Sequence, residues 1–461
     1  SAEKVYLFPV KAHITHAPMS VLPKWQGALL YLVTLLSVFG LAFLGLVNGS
    51  PTSLEALDQL AQKKTFSLET IEVDRKVPRT LLDEITHTYM KYNVELPAYV
   101  KAASRIAQDE PSEADESPAG GGKATTPAKS IGGDKEYLIS VQVGSHNLTL
   151  DPDTGSADLW VMSTLQPSTE RTGRPQNRVY DIAGGKIMDG HSWTIRYGDR
   201  SGANGKVYQD KVSIGEITVP NQAVEAASTV SKTFSKDPLN DGLLGLAFGK
   251  LNTIKPSKQP TWFENAKPKL LMPLFTVSLK RRAVGSYDFG YIDKSKYTGE
   301  IVWANVKGAK GFWDFPVTGF TVGGGQEVPI ALNAIADTGS SLWYAPAKMV
   351  DAYYAKVPGA TFSQLAGGWN FPCSAKLPDI SLTVSGKKVT VPGGNMNYQS
   401  IGTTCMGGLQ RDTGMPFSIA GDVFLKNLFV VFEHPVSGQA RLGFASAAKG
   451  RAEPKVVKTA P

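Results

Sequence analysis

Residues that mark other enzyme classes are scarce in this 461-residue chain. It has six histidines, scattered, and none forms His-Glu-x-x-His or stands in support of a Ser or Cys nucleophile. It has no Gly-x-x-x-x-Gly-Lys loop, so phosphoryl transfer lacks a phosphate cradle. It has two cysteines, Cys373 and Cys405, with no clustered histidine beside them, so a metal site has no basis. The basic run Lys280-Arg281-Arg282 reads as a solvated loop patch rather than a nucleic-acid surface. No metal, cofactor or nucleic acid is expected.

Gly and Pro are plentiful, as a turn-rich β protein requires, and the length suits two large lobes plus extensions. From Lys123 onward the chain carries 37 basic and 27 acidic residues, against 11 and 14 before it. An almost unbroken apolar run spans 28–47, about the length of a membrane helix. Lys4, Lys11 and Lys24 precede it and no basic residue follows until Lys63, which sends everything downstream across the membrane. Gly49 and Ser50 would permit cleavage. The preferred expectation is a secretory signal, with an uncleaved anchor as the alternative.

What is present is a repeat. Asp153-Thr154-Gly155-Ser156 recurs as Asp337-Thr338-Gly339-Ser340. One such tetrapeptide arises by chance in roughly one chain in a hundred of this length, and two on the order of one in ten thousand. Each copy follows a short apolar run, Leu148-Thr149-Leu150 or Ala334-Ile335-Ala336. Each has a hydrophobic-Gly step further on, Leu244-Gly245 or Ala420-Gly421. Two related lobes, each giving one carboxylate to a shared site, follow from this. A strand delivers each Asp, Gly permits a sharp turn beside it, and Thr and Ser hydroxyls can lock the carboxylate. Carboxyls in contact cannot both ionise, so the pair shares a proton, and general acid–base hydrolysis by an activated water becomes possible.

These motifs resemble the pepsin-like aspartic endopeptidases, fungal aspergillopepsin/penicillopepsin type. The likeness extends over Asp153–Trp160 (DTGSADLW), Trp193–Asp199 (WTIRYGD), Asn240–Phe248, Tyr287–Gly299 and Phe417–Glu433, within roughly Lys135 to Ala445. It implies a mostly β, bilobal fold of two pseudo-symmetric antiparallel lobes with a central cleft, and an aspartic endopeptidase made as a zymogen with an acidic optimum. Asp153 and Asp337 would be the catalytic pair, supported by Thr154, Gly155, Ser156, Thr338, Gly339 and Ser340. Asp151 is a rival to Asp153 but lies outside the repeat, where the second copy has Ile335, and reads as structural. Tyr197, Gly198 and Asp199 would form the flap over the pocket, with the Tyr197 hydroxyl able to bond the Trp160 indole. Arg200 and Pro152 depart from the family pattern.

Cys373 and Cys405 are expected to pair, being two cysteines in one lobe of a secreted chain where the family has a disulfide. Asn147-Leu148-Thr149 is a glycosylation sequon. The expected division is a leader 1–26, a signal or anchor 27–49, a propeptide and linker 50–122, lobes 123–310 and 311–448, and a basic tail 449–461. Residues 51 to about 122 do not read as part of the β domain. Lys63–Val77 looks like the strand that opens family propeptides, and Tyr89–Ala107 has helical periodicity. Gln108–Ser130 reads as an exposed linker, cut somewhere within 117–130. Lys91, followed by Tyr92, is the propeptide residue expected to block the pair. The acidic leader and basic remainder suggest an association that weakens as carboxylates protonate. The expected partners are protein and peptide substrates and the chain's own propeptide, for a monomeric, secreted enzyme; a membrane enters only if 28–47 is retained. The alternatives are a membrane-tethered processing protease and an inactive pepsin-fold binding protein.

Overall fold

The computed structural model describes residues 65–69, 71–72, 80–109, 137–171, 173–196, 202–235, 237, 239–281, 283–426 and 428–448. The apolar run 28–47, the 117–130 segment, the flap residues Tyr197, Gly198 and Asp199 with Arg200, and the tail 449–461 lie outside the described residues.

The described chain is mostly β. An eight-stranded sheet is built from residues between 71 and 245, and a seven-stranded sheet from residues between 314 and 420. In the first, His146–Asp153 runs parallel to Gly242–Gly245, with Asp153 opposite Gly245, and Leu159–Met162 lies antiparallel on the far side. In the second, Val328–Ala336 runs parallel to Ser418–Ala420, with Ala336 opposite Ala420, and Trp343–Ala345 lies antiparallel. The hydrophobic-Gly steps are thus the strands that pass under each Asp loop. The glycines are needed for close approach. A Cβ on Gly245 would stand 2.5 Å from Asp158 N, and one on Gly421 would stand 2.3 Å from the Ser340 and Leu342 carbonyl oxygens.

A six-stranded sheet joins the two halves, taking strands from 66–69, 274–305 and 428–447. Its apolar faces are continuous with the main core, where Phe275, Phe289, Trp313 and Phe432 interlock. The edge strand Phe66–Glu69 corrects the expectation that residues before 122 stand apart from the β structure. It pairs antiparallel with Ala283–Phe289, and Phe66 stacks on Phe289 at 4.9 Å. Ser67 also hydrogen-bonds Asp288. The short Ile71–Glu72 strand likewise pairs with Tyr137–Val143. A short strand with an aromatic to bury gains more on an exposed sheet edge than in solvent.

The helical periodicity resolves into two helices, Leu81–Lys91 and Ala98–Asp109. Thr80 caps the first in a reciprocal capping box with Asp83. Its apolar stripe, Leu81, Ile85 and Tyr89, is buried, and Tyr89 meets Tyr344 edge-on at 6.0 Å. The helix ends where Asn93 takes a left-handed φ of 54°, a conformation Asn tolerates. That turn follows directly on Lys91 and Tyr92.

The four-stranded sheet of Thr361–Ser363, Gly368–Pro372, Thr404–Gly407 and Asn397–Ile401 carries the Cys373–Cys405 disulfide at a sequence separation of 32. Closing a loop of that length restricts the unfolded chain and contributes about 3–4 kcal/mol. Replacing both cysteines by serine should lower the urea-unfolding free energy by about that amount. Activity per folded molecule should be retained, as checked by active-site titration.

Candidate active site

Asp153 ends one strand and Asp337 immediately follows the related one, and both carboxyls are buried. The loops are cross-tied. Thr154 N donates to Thr338 Oγ1 at 3.1 Å, and Thr338 N donates to Thr154 Oγ1 at 3.0 Å. Each hydroxyl then donates into the opposite lobe, Thr154 to the Ala336 carbonyl at 2.8 Å and Thr338 to the Pro152 carbonyl at 2.6 Å. Each Thr therefore fills both its donor and its acceptor role across the pseudo-twofold, which leaves the two Asp side chains little freedom.

Each carboxylate is also fixed locally. The Gly155 and Gly339 amides donate to Asp153 Oδ1 at 2.7 Å and to Asp337 Oδ1 at 3.0 Å. The two carboxyls lie close enough to shift each other's pKa, and both touch the same ammonium. Only glycine fits beside them. A Cβ at 155 would lie 2.4 Å from Asp337 Oδ1, and one at 339 would lie 2.4 Å from Asp153 Oδ1. Ser156 Oγ donates to Asp153 Oδ2 at 2.6 Å. The second copy adds a donor from outside its loop. Asp337 Oδ2 accepts from the Tyr92 hydroxyl at 2.6 Å, and the buried Ser340 also helps to hold the Asp337 pKa down.

Lys91 enters the same space. Its Nζ lies 2.9 Å from Asp153 Oδ1, 2.9 Å from Asp337 Oδ1 and 3.0 Å from Asp337 Oδ2. The ammonium is itself buried, with a side-chain exposure of 4%. Burial alone would raise both acids. For Asp337, the Lys91 charge and the interactions with Asp153, Ser340 and Tyr92 overcome it and hold the carboxyl at about 2. For Asp153, burial and the neighbouring Asp337 prevail over Lys91, and its pKa is raised. Burial pushes the Lys91 ammonium down, but the two carboxylates more than reverse this and its pKa rises. The three groups amount to one cation, one anion and one shared proton.

Tyr92 escaped the sequence reading except as the neighbour of Lys91. Its ring sits edge-on to Phe312 at 5.6 Å and to Phe417 at 5.1 Å. A second acid pair was also missed. Glu225, fully buried, is hydrogen-bonded to Asp158 at the back of the first Asp loop, and burial and Asp158 raise its pKa well above the usual range. Asn252 Nδ2 joins them, at 3.1 Å from Asp158 Oδ1 and 3.0 Å from Glu225 Oε1. No short motif announces such a contact, because its members lie 27 to 94 residues apart.

Of the other predicted residues, Trp160 is buried and stacks on Trp193 at 6.2 Å near the base of the flap hairpin. The strands Lys186–Arg196 and Gly202–Ile214 form that hairpin, pairing as far as Arg196 opposite Gly202. Tyr197, Gly198 and Asp199 themselves are outside the described residues. Asn147 is exposed on its strand, and Asp151 pairs through its backbone with Leu243. A cavity of about 1080 Å³ lies between residues 90–96 and the hairpin edge at Thr194–Arg196 and Gly202–Asn204.

Comparison with known proteins places this geometry. The chain is 50% identical to aspartic protease pepA of Leptosphaeria maculans over 318 residues, 68% of this chain and 77% of that one. It is 41% identical to penicillopepsin-3 of Penicillium janthinellum over 88% of this chain and 98% of that one. With aspergillopepsin-1 of Emericella nidulans it shares 44% identity over 80% and 92% of the two chains. The crystal structure of an aspartic proteinase from Irpex lacteus superposes with a TM-score of 0.56 at 22% identity, covering 68% of this chain and 95% of that one, a likeness of fold. The family model for eukaryotic aspartyl proteases matches residues 136–447, which include both Asp-Thr-Gly-Ser loops and the strands beneath them. The chain therefore belongs to the eukaryotic aspartyl protease family, and it is an aspartic-type endopeptidase.

Proposed function

We propose that Asp153 and Asp337 are the catalytic pair of this endopeptidase, and that residues 80–109 belong to a propeptide that blocks them. The observation carrying both readings is the Lys91 ammonium, 2.9 Å from an oxygen of each carboxyl. Once the ammonium leaves, two buried carboxyls in contact hold one negative charge and one proton between them. The ionised member takes a proton from a water, and that oxygen attacks the peptide carbonyl carbon. The neutral member gives its proton to the carbonyl oxygen. Collapse of the tetrahedral intermediate expels the amine, which is protonated as it departs. The threonine cross-ties and glycine amides keep both carboxyls in place throughout, so no reorganisation is needed at the moment of reaction.

Tyr197, Gly198 and Asp199 are proposed as the flap tip, with Trp160 as part of the pocket behind it. The reading is supported by the hairpin whose strands converge at Arg196 and Gly202. Extended peptides would lie beneath it. For cellular fate we infer a secreted, monomeric enzyme, with 28–47 acting as signal and processing within 117–130. Asn147 is exposed and available for a glycan in that pathway.

Release of the propeptide should be acid-driven. Asp337 is held at about 2 in the closed state, below the ordinary 3.8 of a free aspartate. A depressed carboxyl contributes to closure above its free pKa, and the contribution is lost as pH falls toward the depressed value. The window therefore lies between about pH 4 and pH 2.

Three measurements check these readings. Asp337→Asn should lower turnover by at least roughly 10²–10⁴-fold with little loss of folding, measured on a denatured protein substrate at acid pH. Inhibitor-sensitive cleavage by that variant would end the assignment. Lys91→Ala should shift the midpoint of self-processing to higher pH, followed on gels over stepped pH; an unmoved midpoint would mean that Lys91 does not hold the propeptide. N-terminal sequencing of the protein from culture medium should begin within or just after 117–130.

A further inference from the structure

Trp313 is fully buried and belongs to neither Asp-Thr-Gly-Ser loop, yet it touches the supports of both. Through its main chain it reaches the second. Ala336 N donates to the Trp313 carbonyl at 2.9 Å, and Ala336 directly precedes Asp337. Through its side chain it reaches the first. The indole Nε1–H donates to the Leu246 carbonyl at 2.8 Å, and Leu246 N donates to the Asp153 carbonyl at 2.8 Å. One residue thus closes a path from Asp153, through Leu246 and the indole, to Ala336 and Asp337.

The two copies differ at the position where this matters. Pro152 stands before Asp153 where Ala336 stands before Asp337, and a proline has no N–H to give. The tie that Ala336 makes to Trp313 therefore has no counterpart on the first side. There the Leu246 amide holds Asp153, and Leu246 is held in turn by the indole. The ring has little room to move. Phe248 lies at 4.7 Å, Phe432 at 5.2 Å, Phe275 at 5.9 Å and His434 at 6.2 Å between ring centroids.

We propose that Trp313 is a positioning residue for the hydrolysis, a strut that sets the separation of Asp153 and Asp337 in series with the Thr154–Thr338 cross-ties. The inference rests on the assignment of those two residues as the catalytic pair. Removing the indole N–H leaves the Leu246 carbonyl unpaired in a dry interior. The strand that supports Asp153 then relaxes, and the carboxyls sit slightly too far apart for one water and one shared proton.

The test uses the mature enzyme, with active sites counted by a statine-type inhibitor that mimics the tetrahedral intermediate. Two variants remove the donor: Trp313→Phe, and the full-length protein with β-(3-benzothienyl)alanine at 313, which keeps the bicyclic volume and replaces N–H by sulfur. In both, kcat per titrated site should fall about tenfold while KM stays within about twofold, since misplacement acts on the reacting geometry. The two limbs of the pH–kcat profile should also move toward each other, because carboxyls held further apart titrate more independently. Unchanged kcat per titrated site with unchanged limbs would overturn the proposal, even with a lower melting temperature, since that is the pattern of a merely structural residue. If Trp313→Phe fails to fold, the benzothienyl protein decides alone. Failure of the catalytic assignment itself shows separately, as activity in Asp337→Asn.

Discussion

The fold is arranged around a contact that electrostatics opposes. Two carboxyls, each 2.9 Å from one ammonium, lie together inside a protein, where burial disfavours their charged forms and proximity disfavours charging both. Such a pair persists only if something supplies positive charge or a proton. In the described state Lys91 supplies the charge and holds the Asp337 pKa down, while burial and Asp337 raise that of Asp153. The ammonium and its partners are all nearly sealed from solvent, so removing any one of them would leave an uncompensated group behind. On the proposed reading, a blocked and a released site answer the same requirement in two ways, with a lysine or with a shared proton. A segment that blocks this site needs a cation at its tip before it needs anything else.

Holding the carboxyls against their repulsion takes a rigid frame, and the chain builds it by repetition. A strand ends at Asp, a second strand ending in a hydrophobic-Gly step runs parallel beneath it, and a third returns antiparallel. The threonines couple the copies so that neither loop can move without breaking a bond made by the other. Glycine is required at 155 and 339 for a reason specific to the pair, since a methyl group there would stand within 2.4 Å of the opposite carboxylate. The tetrapeptide reads as a local turn, but two of its four residues answer to the other lobe.

This explains what could be read from the sequence and what could not. The Asp-Thr-Gly-Ser repeat and the Leu244-Gly245 and Ala420-Gly421 steps were legible because their constraints are local, a strand, a turn and a close backbone approach. Lys91 was singled out only through the family resemblance, which implies a basic residue ahead of the protease domain. The Tyr92 hydroxyl was not, because its role depends on Asp337, 245 residues away. Trp313 was hidden for the same reason, since its partner carbonyl at Leu246 lies 67 residues back. The strand Phe66–Glu69 was assigned outside the β structure because no residue near it signals the sheet edge at Ala283–Phe289 that receives it. Pseudo-symmetry also hides one difference: Asp153 Oδ2 accepts from Ser156 of its own loop at 2.6 Å, whereas Asp337 Oδ2 accepts from the Tyr92 hydroxyl at 2.6 Å.

That asymmetry bears on which carboxyl carries the charge. Asp337 Oδ2 accepts the hydroxyl of Tyr92, whereas Asp153 Oδ2 accepts one from its own loop. A donor arriving with the blocking segment stabilises the anion on Asp337 only while the segment is bound. Behind Asp153 lies the Asp158–Glu225 pair, buried and with both pKa values raised, so added negative charge there meets another acid rather than a cation. Both surroundings push the same way in the closed state, toward an ionised Asp337 and a protonated Asp153. When Lys91 and Tyr92 depart, the part of that bias they impose departs with them. What remains comes from the mature frame, Ser156 on one side and the acid pair behind it, and these act on Asp153 in opposite directions. On the proposed catalytic reading, the proton is then free to be shared between the two carboxyls once the blocking ammonium has left.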